Sequence, residues 1–199
     1  MGIILALLAL VAGRPAAASD TKLSGLEGHL RVRFPLGVWT QPAGDAELDA
    51  AMRRAVDDWN ALFREVLGLA AFAAAPRETA QVRVNLEPAA TAGLMGVTYL
   101  QTDDTGVIEM PVSITVTEPT ARGQTSRATL LYQVVAHELG HALGLPHVRD
   151  PRSLMCCEHG AVDFNDPAAR DAYVEARRHP DLKSVRAELA EHYARFWRR

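Results

Sequence analysis

The histidine spacing in residues 137–147, HELGHALGLPH, constrains this chain more than any other feature of its sequence. Three of the chain's seven histidines, His137, His141 and His147, stand at offsets of zero, four and ten within it. On a helix, side chains four residues apart leave the same face one turn apart, so two imidazoles can reach one ion. Gly144 tolerates the left-handed backbone that turns the chain back, which brings His147 to the same ion. The spacing therefore predicts a helix that ends near Gly144 and one metal ion held by three histidines.

The residue types in this stretch indicate which metal and which chemistry to expect. Three imidazoles suit zinc, and they leave the fourth position of a tetrahedral ion open for water, which is the pattern of a catalytic site. Glu138 directly follows the first histidine, so we expect its carboxylate to lie beside the metal without binding it. From there it can take a proton from a water molecule that zinc acidifies to a pKa near about 7. This arrangement predicts amide hydrolysis without a covalent intermediate, with Glu138 as the general base.

The pattern continues past the three histidines. Residues 137–147 fit HExxHxxGxxH, and Ser153-Leu154-Met155 follows at the distance expected of a methionine turn. Together these residues resemble the metzincin metallopeptidases, and HELGHALGLxH is most similar to the matrixin catalytic domain. The resemblance implies that Met155 lies beneath the imidazoles as an apolar floor and is not a ligand.

The same resemblance implies a fold and a substrate site. The fold would be α+β and metzincin-like, the zincin type: a twisted, mixed five-stranded sheet on two long helices, plus a small helical C-terminal subdomain. Residues 19–199 would form the catalytic domain, divided into an N-terminal subdomain, 19–144, and a C-terminal subdomain, 145–199. An edge strand near residues 94–100 would pair with extended substrate through free backbone groups. The residues expected to bind substrate there are Gly96, Val97, Thr98 and Tyr99.

Local patterns place the elements of the N-terminal half. Alternating apolar and polar residues predict a first strand at residues 29–34. Asp45 and Gly68 predict the start and the end of a long amphipathic helix. Further strands are expected at residues 69–73, 81–86, 96–100 and 107–116, with a turn at 102–106. Pro111 cannot donate a ladder hydrogen bond, so we expect the last strand to be bulged or exposed there.

The C-terminal half is predicted to be helical. The second helix begins at Thr125 or Ser126, and Gly144 ends it. After an irregular stretch, 148–165, Asp166 begins a third helix that reaches Arg178. Asp181 then caps a final amphipathic helix.

The first eighteen residues differ from the rest of the chain. Ile3 to Val11 is an unbroken apolar run, and the small residues Ala16, Ala17 and Ala18 follow it. This layout predicts a signal peptide at residues 1–18 and a secreted or periplasmic protein, with a buried N-terminal helix as the alternative. The run is too short to span a bilayer as a helix, so we expect no stable membrane insertion.

Charge and length limit the partners. A net charge of -3 gives no electrostatic reason to expect nucleic acid as a partner. A chain of 199 residues can bury the core of one domain. We expect a monomer, and the resemblance to metallopeptidases implies a protein or peptide substrate.

The remaining polar residues give little indication of further binding sites. The histidines that build the second, structural zinc of matrixins are missing between the strands, so we expect one zinc ion. Asp103 and Asp104 could contact calcium, but a solvated turn is the favoured interpretation. Cys156 and Cys157 are expected to be two small, half-buried side chains, with a vicinal disulfide as the alternative. The histidines without matching partners are expected on the surface or in loops: His29, His159, His179 and His192.

These features support one leading function and two alternatives. The leading hypothesis is a secreted zinc-dependent endopeptidase. The first alternative is a non-catalytic, zinc-stabilised module that binds a peptide, although Glu138 would then have no use beside the metal. The second is an amide hydrolase with a narrow, non-protein substrate.

Overall fold

The computed structural model describes residues 23–88, 95–120, 125–157 and 162–198. The expected signal peptide, residues 1–18, and His159 lie outside this part of the chain. Within it, the strands are β1 (Leu36–Thr40), β2 (Phe72–Ala74), β3 (Val82–Glu87), β4 (Gly96–Tyr99) and β5 (Val112–Thr117). The α-helices are α1 (Ala46–Leu67), α2 (Arg127–Ala142), α3 (Pro167–Arg178) and α4 (Arg186–Phe196), and short 3₁₀ helices occupy Arg31–Arg33 and Leu182–Val185.

The five described strands form one mixed sheet in the order β2-β1-β3-β5-β4. Four of them run parallel, and β4 pairs with β5 in the antiparallel direction at the edge. Alternate residues of the two central strands, such as Val82 and Ile114, are fully buried on one face, as a half-covered sheet requires. With the four helices, this confirms the predicted α+β fold of the metzincin type.

Helices α1 and α2 pack against each other and together build most of the core with the sheet. Trp59 of α1 is fully buried, and its Nε1 donates a hydrogen bond of 2.9 Å to the carbonyl oxygen of Ala136 on α2. Leu131, Val135 and Leu139 on α2 are also fully buried. The helix that carries the histidine motif is therefore packed against both α1 and the sheet.

The predicted limits of the two long helices are confirmed. Asp45 caps α1 by accepting hydrogen bonds from the backbone N–H groups of Glu47 and Leu48. Gly68 ends α1 in the left-handed region, at a φ of 74°. Ser126 caps α2 by accepting a hydrogen bond from the N–H of Thr129.

The prediction of a first strand at residues 29–34 is wrong. That segment contains a 3₁₀ turn, and Val32, which the alternation assigned to the core face, is 89% exposed. The strand lies after Pro35, where Leu36 and Val38 alternate into the core. Alternation alone did not distinguish the two segments, because both alternate and the choice depends on which one pairs with the neighbouring strands.

Other element boundaries also differ from the prediction. The expected strand at 107–116 is shorter, since β5 begins at Val112, directly after Pro111. Val107 and Ile108 form only isolated bridges, to Gly28 and Thr102. Proline has no backbone N–H to continue a ladder, which explains the break. The strand expected at 69–73 begins later, as β2, and the final helix begins with a separate 3₁₀ turn.

Two of the histidines expected on the surface or in loops are buried, although His29 does lie outside the helices and strands. His29 is fully buried, and its Nε2 donates a hydrogen bond of 2.8 Å to the carbonyl oxygen of Ala142. His192 of α4 is 3% exposed and stacks against Phe196. The prediction rested on the lack of matching partners in the sequence, whereas both rings are buried by tertiary packing. His179 follows the prediction, because its side chain is 76% exposed.

The two cysteines also differ from the favoured expectation. The sulfur atoms of Cys156 and Cys157 are in contact with each other, the pairing named in the alternative expectation. Cys156 is buried. Among the helices in the described ranges, none is both long enough and apolar enough to cross a membrane.

Candidate metal centre

The end of α2 determines how the third histidine reaches the other two. Gly144 has a φ of 89°, and its N–H donates to the carbonyl oxygen of His141. The N–H of Leu145 donates to the carbonyl oxygen of Gly140, which completes a Schellman motif. A side chain at Gly144 would also collide with the backbone of Glu27. The chain therefore reverses sharply at this glycine, as the sequence predicted, and carries His147 back toward α2.

The structure brings the three predicted histidines together. The Nε2 atom of His147 lies 3.1 Å from Nε2 of His137 and 3.2 Å from Nε2 of His141. The candidate ligand atoms of all three residues lie within 4.8 Å of one another. In a tetrahedral zinc site with Zn–N bonds of about 2.0–2.1 Å, two ligand nitrogens are separated by roughly 3.3 Å. The distances to His147 therefore fit a zinc ion.

Backbone carbonyl groups set the tautomers of two of these rings. Nδ1 of His137 lies 2.8 Å from the carbonyl oxygen of Leu154, and Nδ1 of His141 lies 2.8 Å from that of Leu145. A carbonyl oxygen can only accept, so each Nδ1 carries the proton and each Nε2 presents a lone pair to the centre. Ligand histidines in zinc sites are commonly oriented in this way. The donor set is thus prepared for a cation.

Burial keeps the first ring neutral. The pKa of His137 is held well below its ordinary value, chiefly by desolvation and further by the nearby His141, His147 and Arg177. A neutral imidazole is the form that binds zinc. Within the described ranges, these three histidines are the one group of three or more His, Cys, Asp or Glu side chains close enough to hold a metal ion.

Glu138 lies on the side of α2 that faces the edge strand. It is 5% exposed, and its Oε2 accepts a hydrogen bond of 2.7 Å from Oγ1 of Thr98. The same hydroxyl lies 3.1 Å from the backbone carbonyl oxygen of Glu138. A side chain at Gly96 would collide with the Glu138 carboxylate. The carboxylate is therefore packed directly against β4.

Met155 is fully buried in the turn that follows the third histidine. Its sulfur packs against Gly140, the residue of α2 that lies between His137 and His141, where any side chain would collide with it. The carbonyl oxygen of Met155 accepts a hydrogen bond of 3.1 Å from the N–H of Val148. This turn thus contacts both the helix and the segment that carry the histidines. Its role as a floor for the metal stays a prediction.

Arg177 of α3 supports the same turn. Its Nη2 donates a hydrogen bond of 2.7 Å to the carbonyl oxygen of Cys156, and its guanidinium stacks on Tyr173. Val148 forms a bridge with Cys156, so the turn and the segment that carries His147 are joined. The sequence of helix α3 gave no indication of the contact between Arg177 and Cys156, because this contact depends on how α3 packs against the turn.

The predicted substrate strand occupies the expected position. Gly96, Val97, Thr98 and Tyr99 form β4, and in the part of the chain that is described it has a neighbouring strand on one side only. Tyr99 is 38% exposed, whereas Thr98 is buried against α2. From the sequence, Thr98 was expected to bind substrate through its backbone groups. Its side-chain contact with Glu138 was not predicted. The spacing of Gly96 and Thr98, which places both on one face, was the available signal.

Two comparisons with known proteins bear on this site. A family model described as Matrixin matches residues 16–166. Macrophage metalloelastase of Oryctolagus cuniculus is 49% identical over 39 residues, which make up 20% of this chain. The matched stretch covers 8% of the length of that relative.

Proposed function

Because the chain belongs to the matrixin family of metalloendopeptidases, we propose that it hydrolyses peptide bonds in proteins or peptides with one zinc ion held by His137, His141 and His147. The observation that carries this proposal is the convergence of the three Nε2 atoms at distances that suit a single zinc ion. Zinc, when bound there, would polarise the scissile carbonyl group and acidify a water molecule. We propose no role for calcium; Oδ1 of Asp103 accepts hydrogen bonds from Thr105 and Val107, as in the solvated turn favoured for this segment.

Glu138 is the proposed general base. Its carboxylate accepts a proton from the attacking water molecule at one of its oxygens and then delivers this proton to the leaving amine nitrogen. The carboxylate is buried between α2 and β4, so it is positioned before substrate arrives. Bulk water therefore competes little for its hydrogen bonds. Met155 supports the histidines from the turn below and takes no part in proton transfer.

The edge strand is the proposed substrate site. The side of β4 that has no neighbouring strand among the described residues would offer backbone N–H and C=O groups to an extended peptide, which would add to the sheet as a further strand. Glu138 contacts this strand directly, so a peptide aligned along it would lie next to the base.

We further propose that the protein acts outside the cytoplasm, as matrixins generally do. The apolar run at residues 3–11 and the small residues before Ser19 support this proposal. N-terminal sequencing of the protein recovered from the periplasm or medium should give a start near residue 19. Recovery of the intact chain from the cytoplasm alone would contradict export.

The test of the proposed function combines metal analysis with a cleavage assay. The full chain is purified, its zinc content is measured, and cleavage of a mixed peptide library is followed with and without a chelator. We expect about one zinc per chain, and activity that the chelator abolishes. Glu138→Ala should keep the zinc and lose at least about two orders of magnitude in activity, because it lacks the proton acceptor.

A matched control separates this effect from a general loss of helix packing. Glu191 is an exposed glutamate on α4, and Glu191→Ala should retain wild-type activity. Full activity in Glu138→Ala would remove the mechanism. A wild-type protein that holds zinc and binds peptides but cleaves none of them would favour the non-catalytic binding module.

A further inference from the structure

Thr98 is the one residue of β4 for which the structure gives a side-chain hydrogen bond to the candidate catalytic base. Its Oγ1 lies 2.7 Å from Oε2 of Glu138 and 3.1 Å from the backbone carbonyl oxygen of the same residue. Thr98 is 4% exposed and Glu138 is 5% exposed. Solvent therefore competes little with this contact.

The geometry indicates where the hydroxyl proton goes. A threonine hydroxyl has one proton to donate, and both neighbouring oxygens are acceptors when the glutamate is ionised. Hydrogen bonds to a carboxylate are shorter and stronger than those to a neutral carbonyl. The shorter distance belongs to the carboxylate oxygen, so the proton of Thr98 is directed to Oε2.

Gly96 contributes a second restraint on the same carboxylate. It lies two residues before Thr98, so both positions face α2. A Cβ atom at Gly96 would come within 2.6 Å of Oε1 and 2.8 Å of Cγ of Glu138. The missing side chain therefore leaves the space that the Glu138 carboxylate occupies beside β4.

We propose that Thr98 is a positioning residue that fixes the orientation of the Glu138 carboxylate for proton transfer, in the space that Gly96 leaves. This inference rests on the proposed peptidase function. A general base acts only within hydrogen-bond reach of the proton that it removes, and supporting contacts hold such groups within about 0.5 Å of the productive position. The strand proposed to bind substrate therefore also orients the base.

The kinetic test uses variants that change one feature at a time. Thr98→Val keeps the branched shape and removes the hydroxyl, whereas Thr98→Ser keeps the hydroxyl. We expect Thr98→Val to lower kcat by roughly 10–100-fold, the usual cost of losing a contact that orients a catalytic group, with KM changed by less than about twofold. Thr98→Ser should restore kcat to within about threefold of wild type, and zinc content should be unchanged in both variants.

A neighbouring threonine provides the matched control. Thr115 of β5 pairs with Val97 and so lies on the face of the sheet opposite to Thr98. Thr115→Val should leave kcat unchanged while making the same chemical change to the sheet. A kcat for Thr98→Val equal to that of wild type, or one that Thr98→Ser fails to restore, would overturn the positioning role.

Crystal structures of the zinc-loaded wild type and Thr98→Val provide a readout that does not depend on activity. The Glu138 carboxylate should stay within hydrogen-bond distance of residue 98 in the wild type and rotate away in Thr98→Val. An unmoved carboxylate in Thr98→Val contradicts the inference. If the wild type cleaves no peptide, the proposed function fails, and the position of the carboxylate still decides whether Thr98 orients it.

Discussion

At the scale of one residue, we expect His29 to make the stability of the folded protein depend on pH. It is fully buried, and its Nε2 donates to the carbonyl oxygen of Ala142 at the end of α2. Its Nδ1 is buried and has no hydrogen-bond partner among the described residues. Desolvation, with smaller effects of the nearby Arg33 and His192, lowers the pKa of His29 to about 4. The folded protein therefore holds this ring in the neutral form well below the pH at which a free histidine charges.

The depressed pKa of His29 gives a direction for the pH dependence. The unfolded chain takes up the proton near pH 6.5 and the folded chain near pH 4, so the stabilisation is complete above pH 6.5 and declines as the pH falls toward 4. Each pH unit in that window removes at most about 1.4 kcal/mol. His29→Gln keeps an amide donor for Ala142 and does not titrate. Denaturant unfolding of the zinc-free proteins should show that wild type loses about 2 kcal/mol more than His29→Gln between pH 7 and pH 5.

An exposed histidine serves as the control for that measurement. His179→Gln should follow the wild-type pH dependence, because the side chain of His179 is largely in solvent. The histidines of the metal centre are present in all three proteins, so their titration cancels in the comparison. Equal losses of stability in wild type and His29→Gln would show that His29 charges as readily in the fold as in the unfolded chain.

Gly140 provides a second prediction at the scale of one residue. Glycine in a helix interior is less favourable than alanine by about 1 kcal/mol, so helix propensity alone predicts that Gly140→Ala stabilises α2. Packing predicts the opposite, because the new methyl group would collide with the sulfur of Met155 and approach Trp59 to within 3.2 Å. Overpacking of a core typically costs about 1–3 kcal/mol. Gly140→Ala should therefore lower the free energy of unfolding, and an increase would show that the Met155 turn adapts easily.

At the scale of an element, the N-terminus of α1 is the clearest case of a local sequence signal. Asp45 accepts hydrogen bonds of 2.9 Å and 3.2 Å from the N–H groups of Glu47 and Leu48. Asp45→Ala should reduce the free energy of unfolding by about 1 kcal/mol, because these N–H groups lose their acceptor. Asp45→Asn, which keeps a capping oxygen, should lose much less. Denaturant midpoints of the three proteins measure the difference, and equal effects of alanine and asparagine would contradict a capping role.

The elements that could be predicted from sequence are those determined by local chemistry. The bounds of α1 follow from the cap at Asp45 and the left-handed glycine at Gly68, and both signals act within one turn of the helix. The segment at 29–34 could not be assigned in this way. Its alternation resembles that of a strand, but the choice between it and Leu36–Thr40 depends on which segment lies beside β2 and β3. That choice is tertiary, and no pattern within either segment determines it.

The candidate site shows the same division. Helix periodicity and the glycine turn were enough to predict that His137, His141 and His147 meet, because each step in that argument is local. The hydroxyl of Thr98 lies beside Glu138 because of the way α2 crosses the sheet, which the sequence does not state. Spacing thus predicts the candidate metal ligands, while the residues that orient the base become visible only once the helix and the strand are packed together.

At the scale of the whole molecule, the C-terminal helix connects the two ends of the described chain to the metal centre. The hydroxyl of Tyr193 donates a hydrogen bond of 2.8 Å to the carbonyl oxygen of Leu143, directly before the glycine turn. Nε1 of Trp197 donates a hydrogen bond of 2.9 Å to the carbonyl oxygen of His29. Tyr193 is fully buried. Helix α4 and Trp197, which follows it, therefore contact both the reversal at Gly144 and the segment around His29.

The last prediction concerns the stability that zinc should add to this arrangement. The three candidate ligands come from α2 and from the chain beyond Gly144, and the carbonyl oxygen of Leu154 orients His137 from the Met155 turn. A ligand that binds only the folded state stabilises it by about 2.7 kcal/mol when its free concentration is 100 times its Kd. For a domain of this size, that corresponds to roughly 5–10 °C in Tm. Removal of zinc by a chelator, followed by calorimetry, should lower Tm by this amount.

Two variants determine whether such a shift arises at the proposed centre. His147→Ala removes one ligand, so its Tm should change little when the chelator is added, whereas His179→Ala should show the full wild-type shift. The reversal at Gly144 is held by hydrogen bonds to Gly140 and His141 that do not involve the metal. The zinc-free protein should therefore stay folded, with a lower Tm and an unchanged secondary structure by circular dichroism. If the chelator lowers the Tm of His147→Ala as much as that of wild type, the stabilising zinc binds at another site. The stability of the fold would then not depend on the candidate active site.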